Sequence, residues 1–364
     1  MTETVRSVLH EVQEARGATF RDDGGWWWTD SFGDHPAGYE AVRGGAALWD
    51  VYPMVKWVVT GPDAQAAIQR VFTRDITTQK PGQVRYGPFV DENGFLVDDG
   101  TVFKHSDELW WALTNTELGE WWAENTKGLD VHFELSTHEM PLLSLQGPKS
   151  REILQSLTDI DVSSLRYFNF LTEKVDIAGV STWLMRTGFS GEIGYELIPS
   201  RDGAVPLWNA LCEAGAVPMG LDTLEPVRLE AGLIVYEQDY FPGESTPYDV
   251  SLDRLVALDS DVEFLGKAKL AEIASAPPKR FKTLVLEGTD LPEEGADVLR
   301  DGAVVGILTS RIISPQFGLI AFAQLDTAVS DDGTKLEVTL GDATVPATVA
   351  VLSIKDPTKA LARG

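Results

Sequence analysis

Apolar positions along the chain follow two periods, and this pattern predicts a mixed α+β protein. Within Val55–Phe72, a β-branched and aromatic run typical of a strand gives way to apolar positions at helical spacing. The same order of elements recurs within Leu142–Leu157. Gly61–Pro62 and Gly147–Pro148 separate strand from helix, and proline is favoured at the first helical position because its missing N–H has no partner there. The two copies predict a pair of α+β modules.

An acidic pair lies in a predicted hairpin between these modules. Asn93–Gly94 separates two apolar runs, which predicts a tight turn of type I′. The second strand carries Asp98 and Asp99, whose side chains must point to opposite faces of the sheet. Alternation alone does not decide which of them faces a cleft, and an acidic pair in a solvated turn is the alternative interpretation.

Two segments further along the chain carry the groups that a flat heterocycle needs. Arg186–Glu196 contains three glycines and ends on a carboxylate in a predicted half-buried strand, and Arg228 lies in a helix-like stretch. A buried carboxylate must find donors. The aminopyrimidine edge of a pterin supplies such donors, and Tyr195 or Phe189 would supply an aromatic face. A structural ion pair between Glu196 and Arg228 is the alternative.

The remaining segments predict accessory structure. Ala274–Arg280 has the composition of a linker, and the short apolar runs after it alternate with turn residues, which predicts a small β domain. Near the N-terminus, Trp26, Trp27 and Trp28 are adjacent. Adjacent aromatic residues cannot all face one core, so these side chains either pack at an interface or bind a ring or a methylated cation.

Composition excludes several classes of function. The formal net charge of -26 argues against nucleic acid as a partner, because phosphate binding depends on Lys and Arg. No apolar run is long enough to span a membrane. The single cysteine, Cys212, forms no internal disulfide and suits a reducing cytoplasm. The histidines lack metal-ligand spacing, so no metal site is expected, and the common hydrolase, P-loop and dinucleotide motifs are missing from the sequence.

Taken in their order along the chain, these motifs resemble the aminomethyltransferase family, whose best-known member is the glycine cleavage T-protein. Thr246–Pro247 and Phe264–Lys267 extend the resemblance. It implies a three-domain cloverleaf with tetrahydrofolate in a central channel. The implied parts are an N-terminal extension (1–50), two ferredoxin-like α+β modules (51–140 and 141–273) and a C-terminal β-barrel-like domain (281–364).

The resemblance also implies roles for individual residues. Asp99 matches the catalytic carboxylate of the family, Glu196 the pterin-binding glutamate, and Arg228 the arginine of the folate site. The aromatic residues expected to line the cofactor are Tyr86, Phe189, Tyr195 and Tyr236.

Departures from the T-protein pattern favour a demethylase within this family. Tyr52–Pro53 stands where T-proteins commonly have Ser-His. Gly100 stands where T-proteins have Leu, and this Asp-Asp-Gly form is closer to the aryl O-demethylases. The run Val256–Lys267 is similar to that of dimethylsulfoniopropionate demethylases. The resemblance then implies methyl transfer from a sulfonium, betaine or methoxyaryl compound to N5 of tetrahydrofolate. Tyr52 or His105 would donate a proton to a phenolate leaving group.

The predicted donor site contains Trp26, Trp27, Trp28 and Tyr52. A lipoyl carrier protein, typically acidic itself, is not expected as a partner, because a chain of this charge would repel it. Two alternatives stay open: the aminomethyltransferase reaction of T-proteins, and a non-catalytic folate-binding factor for iron–sulfur assembly.

Overall fold

The structure, a computed structural model, describes residues 4–33 and 35–364, the side chain of His35 excepted. Residues 1–3 and Asp34 of the predicted N-terminal extension lie outside the described residues. The described part contains a three-stranded sheet, a five-stranded sheet, a six-stranded sheet and a closed six-stranded barrel.

The N-terminal segment is anchored to the body of the molecule by a buried carboxylate. Asp50 accepts hydrogen bonds from Ser7 Oγ (2.7 Å) and Gln13 Nε2 (2.6 Å). Strands β1, β3 and β2 form the small sheet, whereas β4 pairs with a strand of the six-stranded sheet. The end of the predicted extension is therefore built into the second module. The elements are β1 (Val5–Arg6), α1 (His10–Glu14), β2 (Thr19–Asp23), β3 (Trp26–Ser31), α2 (His35–Gly44) and β4 (Ala47–Asp50).

The first module is an antiparallel sheet flanked by two short helices. Its elements are β5 (Val55–Thr60), α3 (Ala64–Val71), β6 (Val84–Val90), β7 (Leu96–Lys104), β8 (Leu109–Thr114), α4 (Gly119–Asn125) and β9 (His132–Leu135). The strand order is β6-β7-β8-β5-β9.

The predicted hairpin is confirmed, as β6 and β7, but its turn is not of type I′. Only Gly94 has a positive φ (83°), whereas a type I′ turn needs two such residues. Gly94 N–H donates to Asp91 O, and the register shifts between Phe89 and Val90. Asp91 N–H donates to Phe95 O, so the loop has three residues, 92–94, with glycine in the left-handed position, and the register shift is a separate bulge at Val97.

The second module has the sheet order β11-β12-β13-β10-β4-β14. Its elements are β10 (Leu143–Gln146), α5 (Ser150–Ser156), β11 (Val175–Ile177), β12 (Val180–Met185), β13 (Gly194–Pro199), α6 (Ala204–Glu213), β14 (Val217–Pro218), α7 (Leu221–Ala231) and α8 (Lys267–Ala274).

The strand-Gly-Pro-helix repeat is confirmed, but the prolines are not the first helical residues. Helices α3 and α5 begin two residues after Pro62 and Pro148. Gly61 and Gly147 both have φ of 125°, a conformation that glycine adopts readily. A side chain on Gly61 would lie 2.4 Å from Asp130 O, so the turn needs glycine for space as well.

The C-terminal part folds as the predicted small β domain and closes into a barrel. The strand order around it is β15-β18-β17-β16-β19-β20. Its elements are β15 (Lys279–Leu286), β16 (Asp297–Arg300), β17 (Ala303–Ser314), β18 (Gly318–Asp326), β19 (Lys335–Leu340), β20 (Ala343–Ala350) and, after the barrel, α9 (Ala360–Arg363).

The sheets of the two modules face each other across one apolar cluster, which we call the inner layer. It includes Phe103, Trp111 and Leu113 from the first sheet and Trp49, Met185 and Ile198 from the second. Each sheet has its own core on the opposite face. Polar side chains on the same inner faces as these residues therefore lie between the modules.

Candidate active site

The structure separates the roles of the two adjacent aspartates. Asp98 lies on the same face of β7 as Val102, which belongs to the core of the first module. Asp99 lies on the other face, together with Phe103 of the inner layer. The Asp98 carboxylate accepts hydrogen bonds from the backbone N–H groups and side chains of Asn115 and Thr116. Burial, together with the charge of Asp99, raises the pKa of Asp98 to about 7. Asp98 therefore fixes β7 to the segment after β8.

Two tyrosine hydroxyls hold the carboxylate of Asp99, which is 8% exposed. Tyr86 donates to Oδ2 at 2.7 Å and Tyr240 to Oδ1 at 2.5 Å. Asn115 Nδ2 lies 3.2 Å from Oδ1, and the ring of Tyr236 packs edge-on against Tyr240 with 5.7 Å between centroids. We call these five residues the Asp99 cluster.

The electrostatics of the cluster suit a carboxylate that meets a developing charge. Burial raises the pKa of Asp99, while the hydrogen bonds from Tyr240 and Tyr86 lower it. The pKa values of both tyrosines are raised well above 10 by burial and by the Asp99 charge, so both hydroxyls remain donors at neutral pH. An enclosed carboxylate of this kind stabilises positive charge more strongly than one in water.

Glu196 lies on the inner face of the second sheet. Strand β13 places it beside Ile198 of the inner layer, and Thr187 Oγ1 donates a short hydrogen bond to its Oε2. Among the described residues, none donates to Oε1. Burial raises the pKa of Glu196, and Thr187 and Lys56 lower it. Glu196 is half-buried, and the site offers one unengaged carboxylate oxygen to a ligand with N–H donors.

Backbone space beside Glu196 depends on two glycines. A Cβ atom on Gly188 or Gly194 would lie 2.1 Å from the side-chain oxygen of Gln146. Phe189 is half-buried and packs against the inner layer, and its contact with the cofactor stays a prediction. The glycine-rich segment thus shapes the wall around the carboxylate.

Tyr195 lies away from the predicted site. Tyr195 alternates with Glu196, so its ring is fully buried in the core of the second module, where Arg151 Nε lies 3.2 Å from its hydroxyl. A ring on the opposite face of the strand cannot stack on a ligand held by Glu196.

Arg228 is fully buried with its donors engaged. Its N–H groups donate to Glu225, Asp239, Ser310 Oγ and the carbonyl of Leu233. It ties helix α7 to barrel strand β17, and it does not pair with Glu196. Its contact with folate stays a prediction, and the geometry indicates a positioning role.

The predicted donor-site residues form an aromatic contact at the N-terminal sheet. Trp26 stacks on His138 (5.1 Å between centroids) and meets Tyr52 edge-on (5.4 Å). Trp28 packs against Trp49 of the inner layer, and Trp27 points to the other face of β3. The hydroxyl of Tyr52 donates to the His138 carbonyl at 2.5 Å. These contacts fill a structural role, and a role in donor binding stays a prediction.

His105 is unsuited to the proton-donor role considered for it. Its ring lies against Trp111 and Phe170, 4.1 and 4.6 Å between centroids. Burial lowers the pKa of His105 to about 4, so the imidazole is neutral at physiological pH.

In the described part of the chain, no group of three or more His, Cys, Asp or Glu residues could hold a metal ion. No helix there is long and apolar enough to cross a membrane.

Sequence comparison assigns both halves of the chain. The model of the GCVT N-terminal domain matches residues 9–260, and that of the glycine cleavage T-protein C-terminal barrel domain matches residues 279–354. The chain belongs to the glycine cleavage T-protein family. The predicted family, the α+β fold with its C-terminal barrel, and tetrahydrofolate as the cofactor are confirmed.

Two full-length relatives are aminomethyltransferases. The aminomethyltransferase of Listeria welshimeri is 35% identical over 355 residues, covering 96% of this chain and 97% of that protein. The aminomethyltransferase of Streptomyces coelicolor is 35% identical and covers 92% of each chain. The fold is similar to that of glycine cleavage system aminomethyltransferase T from Bartonella henselae, with a TM-score of 0.88, 22% identity and coverage of 96% and 98%. The chain is thus a one-carbon transferase of the folate-dependent kind.

Sequence reasoning missed three residues of the site. Tyr240 follows Tyr236 in an irregular segment, where no periodicity indicates which way either ring points. Lys56 stands at an apparently apolar strand position, and Thr187 is hidden in the glycine-rich segment. A lysine within a run of β-branched residues is the signal that could have been used, because lysine is rarely fully buried without a partner.

Proposed function

We propose that the chain transfers an aminomethyl-derived one-carbon unit to tetrahydrofolate bound between the two modules. One observation supports the proposal: the inner faces carry two carboxylates of different environment, a buried Asp99 and a half-buried Glu196. Asp99 is held by two tyrosines, and Glu196 has an unengaged Oε1. The names of the full-length relatives favour aminomethyl transfer over the demethylation that the sequence departures suggest.

The residues divide the work by their positions. Glu196 Oε1 accepts from the donor edge of the pterin, and Phe189 offers its ring. When folate is bound, its N5 supplies the lone pair that accepts the one-carbon unit. Asp99, oriented by Tyr86 and Tyr240, stabilises the positive charge that develops at the reacting nitrogen. Holding the two reactants in line contributes roughly 7–11 kcal/mol to lowering the barrier of such a transfer.

Demethylation is the second candidate, and Gly100 favours it. A Cβ atom on Gly100 would lie 2.1 Å from Leu113 O, so the leucine common in T-proteins does not fit the backbone beside Asp99. The formal charge of -26 also disfavours docking of an acidic lipoyl carrier. For a demethylase the donor would be a sulfonium, betaine or methoxyaryl compound, and the product would be 5-methyltetrahydrofolate.

Product analysis tests the proposal. Purified protein and tetrahydrofolate are incubated either with a lipoyl carrier bearing the aminomethyl group or with a panel of methylated compounds. The expected result is 5,10-methylenetetrahydrofolate with an equal amount of ammonia, from the carrier only. Formation of 5-methyltetrahydrofolate from the panel only would replace aminomethyl transfer with demethylation. Neither product from either donor would contradict both functions.

A further inference from the structure

One buried cation on the inner face, Lys56, has been described so far only by its effect on the pKa of Glu196. Lys56 lies on β5 between Val55 and Trp57, which belong to the core of the first module, so its side chain points the other way. It is 0% exposed, and its Nζ donates to the carbonyl of Tyr52 at 2.6 Å. The position brings a cation to the face on which Glu196 also lies.

The ammonium group of Lys56 keeps spare donors. An ammonium has three N–H donors, and in the described part of the chain only the Tyr52 carbonyl accepts from it. No carboxylate of a described residue forms an ion pair with it within 4 Å. Unpaired buried donors of this kind cost free energy unless a ligand accepts from them.

Two carboxylates face this cation, and only one of them is open to a ligand. Asp50 and Glu196 both act on Lys56, raising its pKa, although burial lowers it to about 7. Asp50 is occupied by Ser7, Gln13 and the backbone N–H of Tyr52. Glu196 keeps its Oε1 unengaged by described residues. Lys56 donates to the Tyr52 carbonyl just after β4, and β4 is separated from the Glu196 strand, β13, only by β10, so an open donor and an open acceptor lie on the same part of the inner faces.

The edge of a 4-oxopterin matches such a pair of groups. It presents the 2-amino group and N3–H as donors, followed by the O4 carbonyl as an acceptor. We propose that Lys56 is a second pterin ligand, which donates to O4 while Glu196 accepts from the neighbouring N–H donors, so that the pair selects 4-oxopterins over 4-aminopterins. This inference rests on the proposed folate site and deepens it.

Binding of two analogues tests the inference without turnover. Dissociation constants are measured at neutral pH for folic acid and for aminopterin, in which an amino group replaces O4. A charge-assisted hydrogen bond corresponds to roughly tenfold to hundredfold in affinity, so the parent should prefer folic acid by at least that factor. Lys56→Met should lower the preference by roughly tenfold to hundredfold, leaving the part that Glu196 supplies through the N3–H that aminopterin lacks, and Lys56→Arg should keep more of it. Lys104→Met is the matched control, because Lys104 is a buried lysine of the same sheet whose Nζ is engaged by Gln65 and Asp107.

The possible outcomes distinguish failure of this inference from failure of the proposed folate site. If Lys56→Met binds folic acid and keeps the preference of the parent, the inference is wrong while the folate site stands. If the parent binds neither analogue, both fail. Proton uptake on binding, measured by calorimetry in buffers of different ionisation enthalpy, is a second readout. The parent should take up protons near neutral pH when it binds folic acid, and Lys56→Met should not. If Lys56 had only a structural role, the parent and Lys56→Met would take up the same number of protons.

Discussion

Removing the buried charge of Lys56 should make the protein more stable, by an amount that depends on pH. Burial lowers the pKa of Lys56 from 10.5 to about 7. Because the folded-state value is the lower one, the unfolded chain binds this proton more tightly. The cost to folding is therefore complete below about pH 7 and fades as the pH rises towards the ordinary lysine value. At about 1.36 kcal/mol per unit, the cost approaches roughly 5 kcal/mol in mild acid.

The predicted gain for Lys56→Met is smaller than this cost. The variant loses the hydrogen bond to the Tyr52 carbonyl, worth about 1 kcal/mol, and Asp50 and Glu196 lose a nearby cation. We expect the free energy of unfolding to rise by about 3 kcal/mol near pH 6 and to match that of the parent within about 1 kcal/mol near pH 9.5. Urea titrations of both proteins at the two pH values measure this. A difference that does not change with pH, or a variant that is less stable near pH 6, would refute the reasoning.

Three further predictions concern the Asp99 cluster and Gly100 beside it. Asp99→Asn should lower turnover by roughly 10²–10³-fold with little change in folate affinity, because the charge acts mainly on the transition state; a parallel loss of affinity in equilibrium titration would argue against this role. Tyr240→Phe removes a donor that lowers the pKa of Asp99, so the acid limb of the pH–rate profile should move to higher pH; an unmoved limb would contradict the assignment. Gly100→Leu should destabilise the fold by more than about 3 kcal/mol, because the Cβ of the new leucine would collide with Leu113 O. Thermal unfolding measures this, and a melting temperature equal to that of the parent would contradict the prediction.

Pattern and motif together predicted the architecture well. Period-2 and helical patterns predicted both modules and the small β domain, because each element has one face in a core and the alternation is written in the sequence, whereas the family resemblance implied that this domain is barrel-like. Turn details were less predictable. Asn93–Gly94 indicated the hairpin, but side-chain capping by Asp91, which accepts from the N–H groups of Asn93 and Phe95, favours a longer loop.

The site was predictable only where the chemistry is local to a strand. Alternation fixed Asp98 and Asp99 on opposite faces, but the choice between them depends on what covers each face, which is tertiary information. Arg228 illustrates the same limit: its donors are taken by groups from α7, a loop and the barrel. Tyr240 lies 141 positions from Asp99 in the sequence and meets it only after folding.

Equilibrium binding of tetrahydrofolate to the parent and to Glu196→Gln tests the central claim most directly. The substitution keeps the shape of the side chain and replaces the open carboxylate oxygen, so a pterin at this position loses its charged acceptor. The account predicts binding by the parent and a roughly tenfold to hundredfold higher dissociation constant for the variant, with an unchanged constant for the exposed control Asp290→Asn. Equal affinity of the parent and Glu196→Gln would contradict it.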